Sequence, residues 1–198
     1  QHLVRTETHW AGRCPRYIGK YSPFDYWEPE LACACDERVP TGLVGDGPKW
    51  LCGVDLLPSP CKVLSLGSNF DDRLERFLHD AAGCHSLVVD PTLKPKVRMR
   101  RFERELAAYG SSLNASVGVG AKRGIGRANG VRTPFTLVTL RELILDYYAP
   151  PVHLSLLKMD VEGHEYGALE DAFELCREGR LTIDLLSVEL HLHLTDKP

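Results

Sequence analysis

The sequence predicts an α/β domain with a doubly wound, mostly parallel sheet, and three observations carry that expectation. From Lys62 onward, short apolar runs alternate with helix-length amphipathic segments, the pattern of consecutive βαβ units. The apolar run at 153–157 gives way to Lys-Met-Asp-Val-Glu-Gly-His-Glu at 158–165, so two carboxylates stand where a buried strand hands over to a helix. Open α/β sheets bind ligands at that edge. Residues 1–61, by contrast, hold Pro15, Pro23, Pro29, Pro40, Pro48, Pro58 and Pro60 and show no such alternation, so they form an irregular extension packed on a core domain at 62–198.

Each element follows in turn. Residues 63–66 form a first strand, 71–82 a helix, and 86–89 a second strand closed by Asp90-Pro91. A second helix spans 95–109, a third strand 113–119, and the glycines of 118–130 make a loop. Thr139 caps a helix at 139–147. The fourth strand is 153–159, the next helix runs 164–178 and stops at Gly179, and the fifth strand is 182–190.

Composition narrows the function. A chain of 198 residues with 43% apolar content buries one good core. No apolar run approaches the roughly 18 residues that span a bilayer, and the polar start at Gln1 is no signal peptide, so any leader was removed or never included. A formal charge of −3 lacks the basic excess of a general nucleic-acid binder, which favours a small or locally contacted substrate. Seven cysteines are many for a cytosolic enzyme. Cys33 and Cys35 lack a matching second pair with zinc-ribbon spacing, whereas Cys52 and Cys61 flank a short loop and are expected to bridge. A bridge suits the secretory pathway or an extracellular site, with the cytoplasm as the alternative. The aromatic residues of the extension, Trp10, Tyr17, Tyr21, Phe24, Tyr26 and Trp27, are expected to pack it onto the core. The basic residues of the second helix, Lys94, Lys96, Arg98, Arg100, Arg101 and Arg104, form a solvated face, with attraction of an anionic acceptor as the sharper reading.

The first strand ends in Leu-Gly-Ser-Asn-Phe-Asp-Asp at 66–72, and Asp90 follows Gly67 by 23 positions. That spacing lets a cofactor approach the first turn while an acid at the next strand's tip takes two ribose hydroxyls. Only Gly67 stands where a dinucleotide site needs three glycines, and Asp71 and Asp72 repel phosphate. A cofactor with a ribose but no phosphate fits this turn, and S-adenosylmethionine is the common one.

Five motifs in order resemble the class I S-adenosylmethionine-dependent methyltransferases, in the FkbM-like branch and the related eukaryotic methyltransferase-like proteins. They are Val-Leu-Ser-Leu-Gly-Ser-Asn at 63–69, Val-Val-Asp-Pro at 88–91, Val-Thr-Leu-Arg-Glu-Leu at 138–143, Leu-Leu-Lys-Met-Asp-Val-Glu-Gly-His-Glu at 156–165 and Ser-Val-Glu-Leu-His at 187–191. Asp-Gly-Pro-Lys-Trp-Leu-Cys at 46–52 is similar to the lead-in of the eukaryotic members, which often work in the secretory pathway.

The resemblance implies a Rossmann-like sheet and a role for each position. Gly67, Ser68 and Asn69 would line the methionine and ribose of the cofactor, Asp90 would hold the ribose hydroxyls, and Val119 and Gly120 would sit by the adenine. Asp160 would face the methyl group and the acceptor. A complete core of this type adds a closing pair of strands, so a sheet ending near Pro198 would leave an edge to cover. Two departures stand out: the turn lacks a second glycine, and no acid follows the third strand.

Methyl transfer to a sugar or other small or glycan-like hydroxyl needs a general base. Asp160 leads, and Glu162, His164, Glu189 and His191 are the alternatives at the carboxyl ends of strands four and five. Glu162 also reads as an ordinary helix-start charge. Glu189, His191 and His193 share one face of an extended strand and, with Asp160, resemble a ligand set for a metal. Local hydrogen bonding is the expected role of the histidines, so no metal is assigned. The rival readings are a catalytically degenerate binding module and a nicotinamide-dependent oxidoreductase.

Overall fold

A computed structural model describes residues 39–43, 46–51, 53–91, 103–113, 117–120, 122–126 and 134–191, with the backbone alone for 39–50. The chain divides into two compact units, Gln1–Arg38 and Val39–Pro198, and the architecture belongs to the second. Cys14, Cys33, Cys35, Cys52, His193, the aromatic residues of 10–27 and the basic residues of 94–101 lie outside the described residues.

An antiparallel hairpin, β1 (Val39–Leu43) and β2 (Asp46–Leu51), leads through a short 3-10 turn at Val54–Leu56 into the sheet. The sheet then takes β3 (Lys62–Leu66), α1 (Arg73–Ala82), β4 (His85–Val89) and β5 (Gly110–Ser112). A small second sheet contains β6 (Val117–Val119), β7 (Gly124–Gly126) and β8 (Phe135–Val138). The chain returns through α2 (Leu140–Tyr147) to β9 (Val152–Met159), α3 (Glu165–Arg177) and β10 (Leu181–Val188). The central sheet has the order β10-β9-β3-β4-β5, and every pairing in it is parallel.

Helices cover both faces, as a parallel sheet requires. Leu74 and Leu78 of α1 pack with Val63, Leu156, Leu51 and Val54 on one side. On the other, Leu140, Leu143 and Ile144 of α2 and Ala168, Ala172 and Leu175 of α3 pack on Leu64, Leu66, Leu154, Leu157 and Met159. Val63 and Leu156 thus feed one core, while Leu64, Leu66, Leu157 and Met159, of opposite parity along their strands, feed the other. Thr139 caps α2 as expected, in a reciprocal box: its Oγ1 accepts from Glu142 N at 3.1 Å, and Glu142 Oε2 accepts from Thr139 N at 2.9 Å. Gly179 ends α3 at φ 66°, with Gly179 N donating to Cys176 O and Arg180 N to Leu175 O, the paired bonds of a Schellman stop. Among the described residues no helix is long and apolar enough to cross a membrane.

The expected third strand at 113–119 is two strands in different sheets. Leu113 N still donates to Val88 O, continuing β5 along β4, whereas β6 pairs with β8. A Cβ at Gly118 would meet Pro91 Cγ at 2.8 Å, so this glycine lets β6 cross close over the end of β4. The glycine loop at 118–130 likewise holds an element, β7, antiparallel to β8. Of the helix expected at 95–109, residues 103–106 are helical and 107–109 form a turn, because β5 begins at Gly110.

The cysteine pairing differs as well. Cys61 bonds Cys84, not Cys52, across a sequence separation of 23. Each residue immediately precedes a strand, and the register Lys62↔His85 puts the two opposite one another. Adjacency in the sheet, rather than nearness in the chain, selected the partner.

Candidate active site

The chain runs outward from β3 to β4 and β5, then returns to β9 on the other side of β3, so the topological switch point lies at the carboxyl ends of β3 and β9. That crevice is where such a sheet takes ligands. Gly67 N donates to Val89 O and Asp160 N to Leu66 O, both at 2.9 Å, which carries the pairing one residue beyond each strand. Gly67 has φ 78°, and a Cβ there would lie 1.8 Å from the Asp160 carbonyl oxygen. Only glycine permits this approach.

After Gly67, Asn69 and Phe70 adopt left-handed backbone, at φ 46° and 65°, and turn the Ser68 and Asn69 amides toward β4. Asp90 receives them: its Oδ2 accepts from Ser68 N at 2.7 Å and Asn69 N at 2.5 Å, and the residue is buried. The expected ribose acid is therefore also the clasp of the first turn. Amides that would cradle a phosphate are held by a carboxylate instead. Asp71 and Asp72, expected to repel phosphate, are locally paired. Arg73 binds Asp71 and holds its carboxyl below the usual range, while Asp72 accepts from the Tyr109 hydroxyl and from Arg76 Nη2 at 3.3 and 3.2 Å. Burial, reinforced by Asp72, pushes the Tyr109 phenol up to about 12.

Lys158 is a charge inside an apolar strand, and its side chain is nearly buried. It sits opposite Ser65 in the β3–β9 register, its Nζ donates to the Gly67 carbonyl and to Leu66 O at 3.4 Å, and it lies 3.8 Å from Asp160 Oδ2. The lysine thus ties the first turn to the strand-tip acid.

The second turn is organised by Glu165, whose side chain is fully buried. Its Oε1 accepts from Val161 N at 3.0 Å, Gly163 N at 3.1 Å and His191 Nδ1 at 2.9 Å, and its Oε2 accepts from Gly163 N at 3.1 Å. Burial alone would raise this carboxyl, but the backbone amides and His191 outweigh it and hold it below its ordinary value. Partial burial likewise works against charge on His191. The Glu165 hydrogen bond and the charges of Glu165, Glu162 and Asp160 prevail and lift the imidazole above the ordinary histidine value.

His191 Nε2 faces Glu162 Oε2 at 3.8 Å, Glu189 Oε1 at 3.9 Å and Asp160 Oδ1 at 4.0 Å. The bond from Glu189 N to Met159 O, 2.9 Å, keeps the segment after β10 beside the tip of β9. The expected strand at 182–190 ends at Val188, yet Glu189 and His191 still turn toward Asp160.

The structure therefore gathers Asp160, Glu162, Glu189 and His191 at one edge, with Gly67, Ser68, Asn69 and Asp90 on the adjoining strands. Gly118 against Pro91 brings the β6 end, Val119 and Gly120, to the same side of β4. Glu162 does not start a helix. It lies in the turn at φ 52° with an exposed side chain, and the acid in the first turn of α3 is Glu165. The N-cap of α3 is His164 rather than Asp160. His164 lines a separate groove of about 300 Å³ with Lys122, Arg123, Gly124, Ile125 and Leu137.

Lys158, Glu165 and Glu75 were missed as site residues. Lysine within an apolar strand was an available signal, whereas a glutamate at a helix start carries none. Glu75 of α1 is fully buried beside the Ser65 hydroxyl, and Ser68 Oγ and Ser86 Oγ are buried without a hydrogen-bond partner among the described residues. Burial raises the Glu75 carboxyl, against the opposing pull of Ser65 and Lys158.

These features fit a ligand offering ribose hydroxyls and a small cationic centre: a turn without a Cβ at its closest point, an orphaned Ser68 hydroxyl, and carboxylates on either side of it. A family model described as a methyltransferase domain matches residues 19–191. No curated protein and no solved structure matches the chain.

Proposed function

The chain belongs to that methyltransferase-domain family, and from this premise we propose that it methylates a hydroxyl on a sugar or other small or glycan-like acceptor, using S-adenosylmethionine. The observation that carries the choice of cofactor is the Asp90 clasp on the Ser68 and Asn69 amides, which leaves this turn suited to a ribose and unsuited to a pyrophosphate. Gly67, Ser68 and Asn69 would border the methionine and ribose, Asp90 the ribose hydroxyls, and Val119 with Gly120 the adenine.

When bound, S-adenosylmethionine supplies an electrophilic methyl group on a sulfonium, so the protein's task is alignment and proton removal. Lys158 holds the Gly67 turn and Asp160 in fixed relation. Asp160 accepts the acceptor proton, and His191, oriented by Glu165, stabilises the site's charge from the opposite side. Glu162 is an exposed neighbour to that pair. His164, next in sequence to the 160–163 turn, lines a mostly apolar groove with Ile125 and Leu137, and Arg123 at that groove pairs with Glu142 at 3.5 Å. The Cys61–Cys84 bond supports residence in the secretory pathway or outside the cell.

Calorimetric titration tests the cofactor: S-adenosylmethionine binds and NAD does not. Binding of neither favours a degenerate module, and binding of NAD alone an oxidoreductase. A methyl-acceptor screen over glycans and small hydroxyl compounds tests the reaction, and Asp160→Asn is expected to lower turnover at least about 100-fold while cofactor still binds. Unchanged turnover in that variant removes Asp160 as the base.

A further inference from the structure

We propose that the groove formed by β7, β8 and the start of α3 is a binding site for a ring-sized apolar group carrying one negative charge, an aryl or fused-ring acid. Lys122, Arg123, Gly124, Ile125, Leu137 and His164 line a space of about 300 Å³. An apolar cavity of about 150 Å³ holds one benzene, so two fused rings fit here. The groove also contains a glycine that the fold does not require. Gly124 pairs with Leu137 in the β7–β8 register, yet its backbone is not left-handed as at Gly179, and a Cβ there would meet nothing within 4 Å, unlike one at Gly118. Glycine weakens a strand interior and often marks a place where a ligand comes close. Cross-strand partners share a face, so the missing side chain leaves the space beside Leu137 open.

The charges at the groove choose the sign of the ligand. Arg123 is answered by Glu142 at 3.5 Å, and Glu142 is itself held by the Thr139 amide in the cap of α2. Lys122, exposed at the same groove, has no acid partner among the described residues. A ring set against Ile125 and Leu137 with its anion at Lys122 therefore satisfies the apolar and the charged lining together. Ile125 is 77% exposed, so its apolar surface gains from being covered. His164 adds an imidazole directly after the 160–163 turn. If the methyl-transfer reading holds, the groove takes the part of the acceptor beyond its hydroxyl, which narrows the acceptor to a small hydroxyl compound bearing an apolar ring and an acid. That step rests on the proposed function, whereas binding in the groove does not.

The test is fluorescence and calorimetric titration of the full chain with 8-anilinonaphthalene-1-sulfonate, a fused-ring probe with one sulfonate. One site per chain is expected. Gly124→Val, which fills the groove at a strand position where a Cβ has room, should weaken binding at least about tenfold while the urea midpoint holds or rises. Lys122→Gln should weaken it about threefold and remove its salt dependence. N-phenyl-1-naphthylamine, the same ring system without the sulfonate, should bind more weakly than the sulfonate and be indifferent to Lys122→Gln. Phe173→Ser removes an exposed aromatic that does not line the groove, and should change nothing. Absence of saturable binding, equal affinity in Gly124→Val and wild type, or loss of affinity in Phe173→Ser overturns the site. Equal affinity for the two probes overturns the preference for an acid. Probe binding that depends on Gly124, in a chain that binds no S-adenosylmethionine, would sink the methyl-transfer reading and leave the groove standing.

Discussion

Two strand-to-helix turns meet at the switch point, and each sets a fully buried glutamate in the first turn of its helix: Glu75 on α1 and Glu165 on α3. Their environments push them in opposite directions. Glu165 receives backbone amides and an imidazole and is held low, whereas the Ser65 hydroxyl beside Glu75 does not offset its burial under α1, and Glu75 is raised. Burial alone does not decide a carboxylate's state; the donors aimed at it do. In the first turn that organising role falls to Asp90, which takes the Ser68 and Asn69 amides.

The most severe way to break the comparison is Gly67→Ala, which strikes the contact between the turns. A left-handed backbone and a Cβ 1.8 Å from the Asp160 carbonyl together predict a loss of about 4 kcal/mol, read from urea unfolding. Glu165→Ala comes next: it strands two amides and His191, and calorimetric unfolding should register about 3 kcal/mol. The first turn is reinforced instead by a covalent bond behind it. Replacing Cys61 and Cys84 by serine is expected to cost about 2 to 3 kcal/mol, measured by chemical denaturation with and without reductant.

Glu75→Gln has the smallest effect and the opposite sign, raising stability by about 1 kcal/mol at neutral pH. Its pH dependence sharpens the contrast. A carboxyl raised in the folded state contributes stability below its unfolded value of 4.5 and loses it as pH climbs through the folded value. Relative to Glu75→Gln, the wild-type urea midpoint should therefore fall as pH rises above 4.5. A wild-type midpoint that rises over that range would refute the assignment.

The sheet was legible because βα alternation is a repeated signal, and the strand-tip acids were legible because spacing alone places Asp90 and Asp160 at one edge. The split between β5 and β6 was not, since it depends on how closely Gly118 passes Pro91. The partner of Cys61 needed a register, and a register is a property of two strands rather than of one. Lys158 and Glu165 act through carbonyls, amides and a ring distant in the chain, so their roles appear only once Gly67 and His191 are folded beside them.

Cys61 and Cys84 stand at the entrances of β3 and β4, while Gly67 and Asp90 stand at the exits. The molecule keeps its crosslink and its candidate site at opposite poles. A mild reductant should therefore shorten the protein's shelf life long before it alters what the protein does, and an engineer can restaple one pole without redrawing the other.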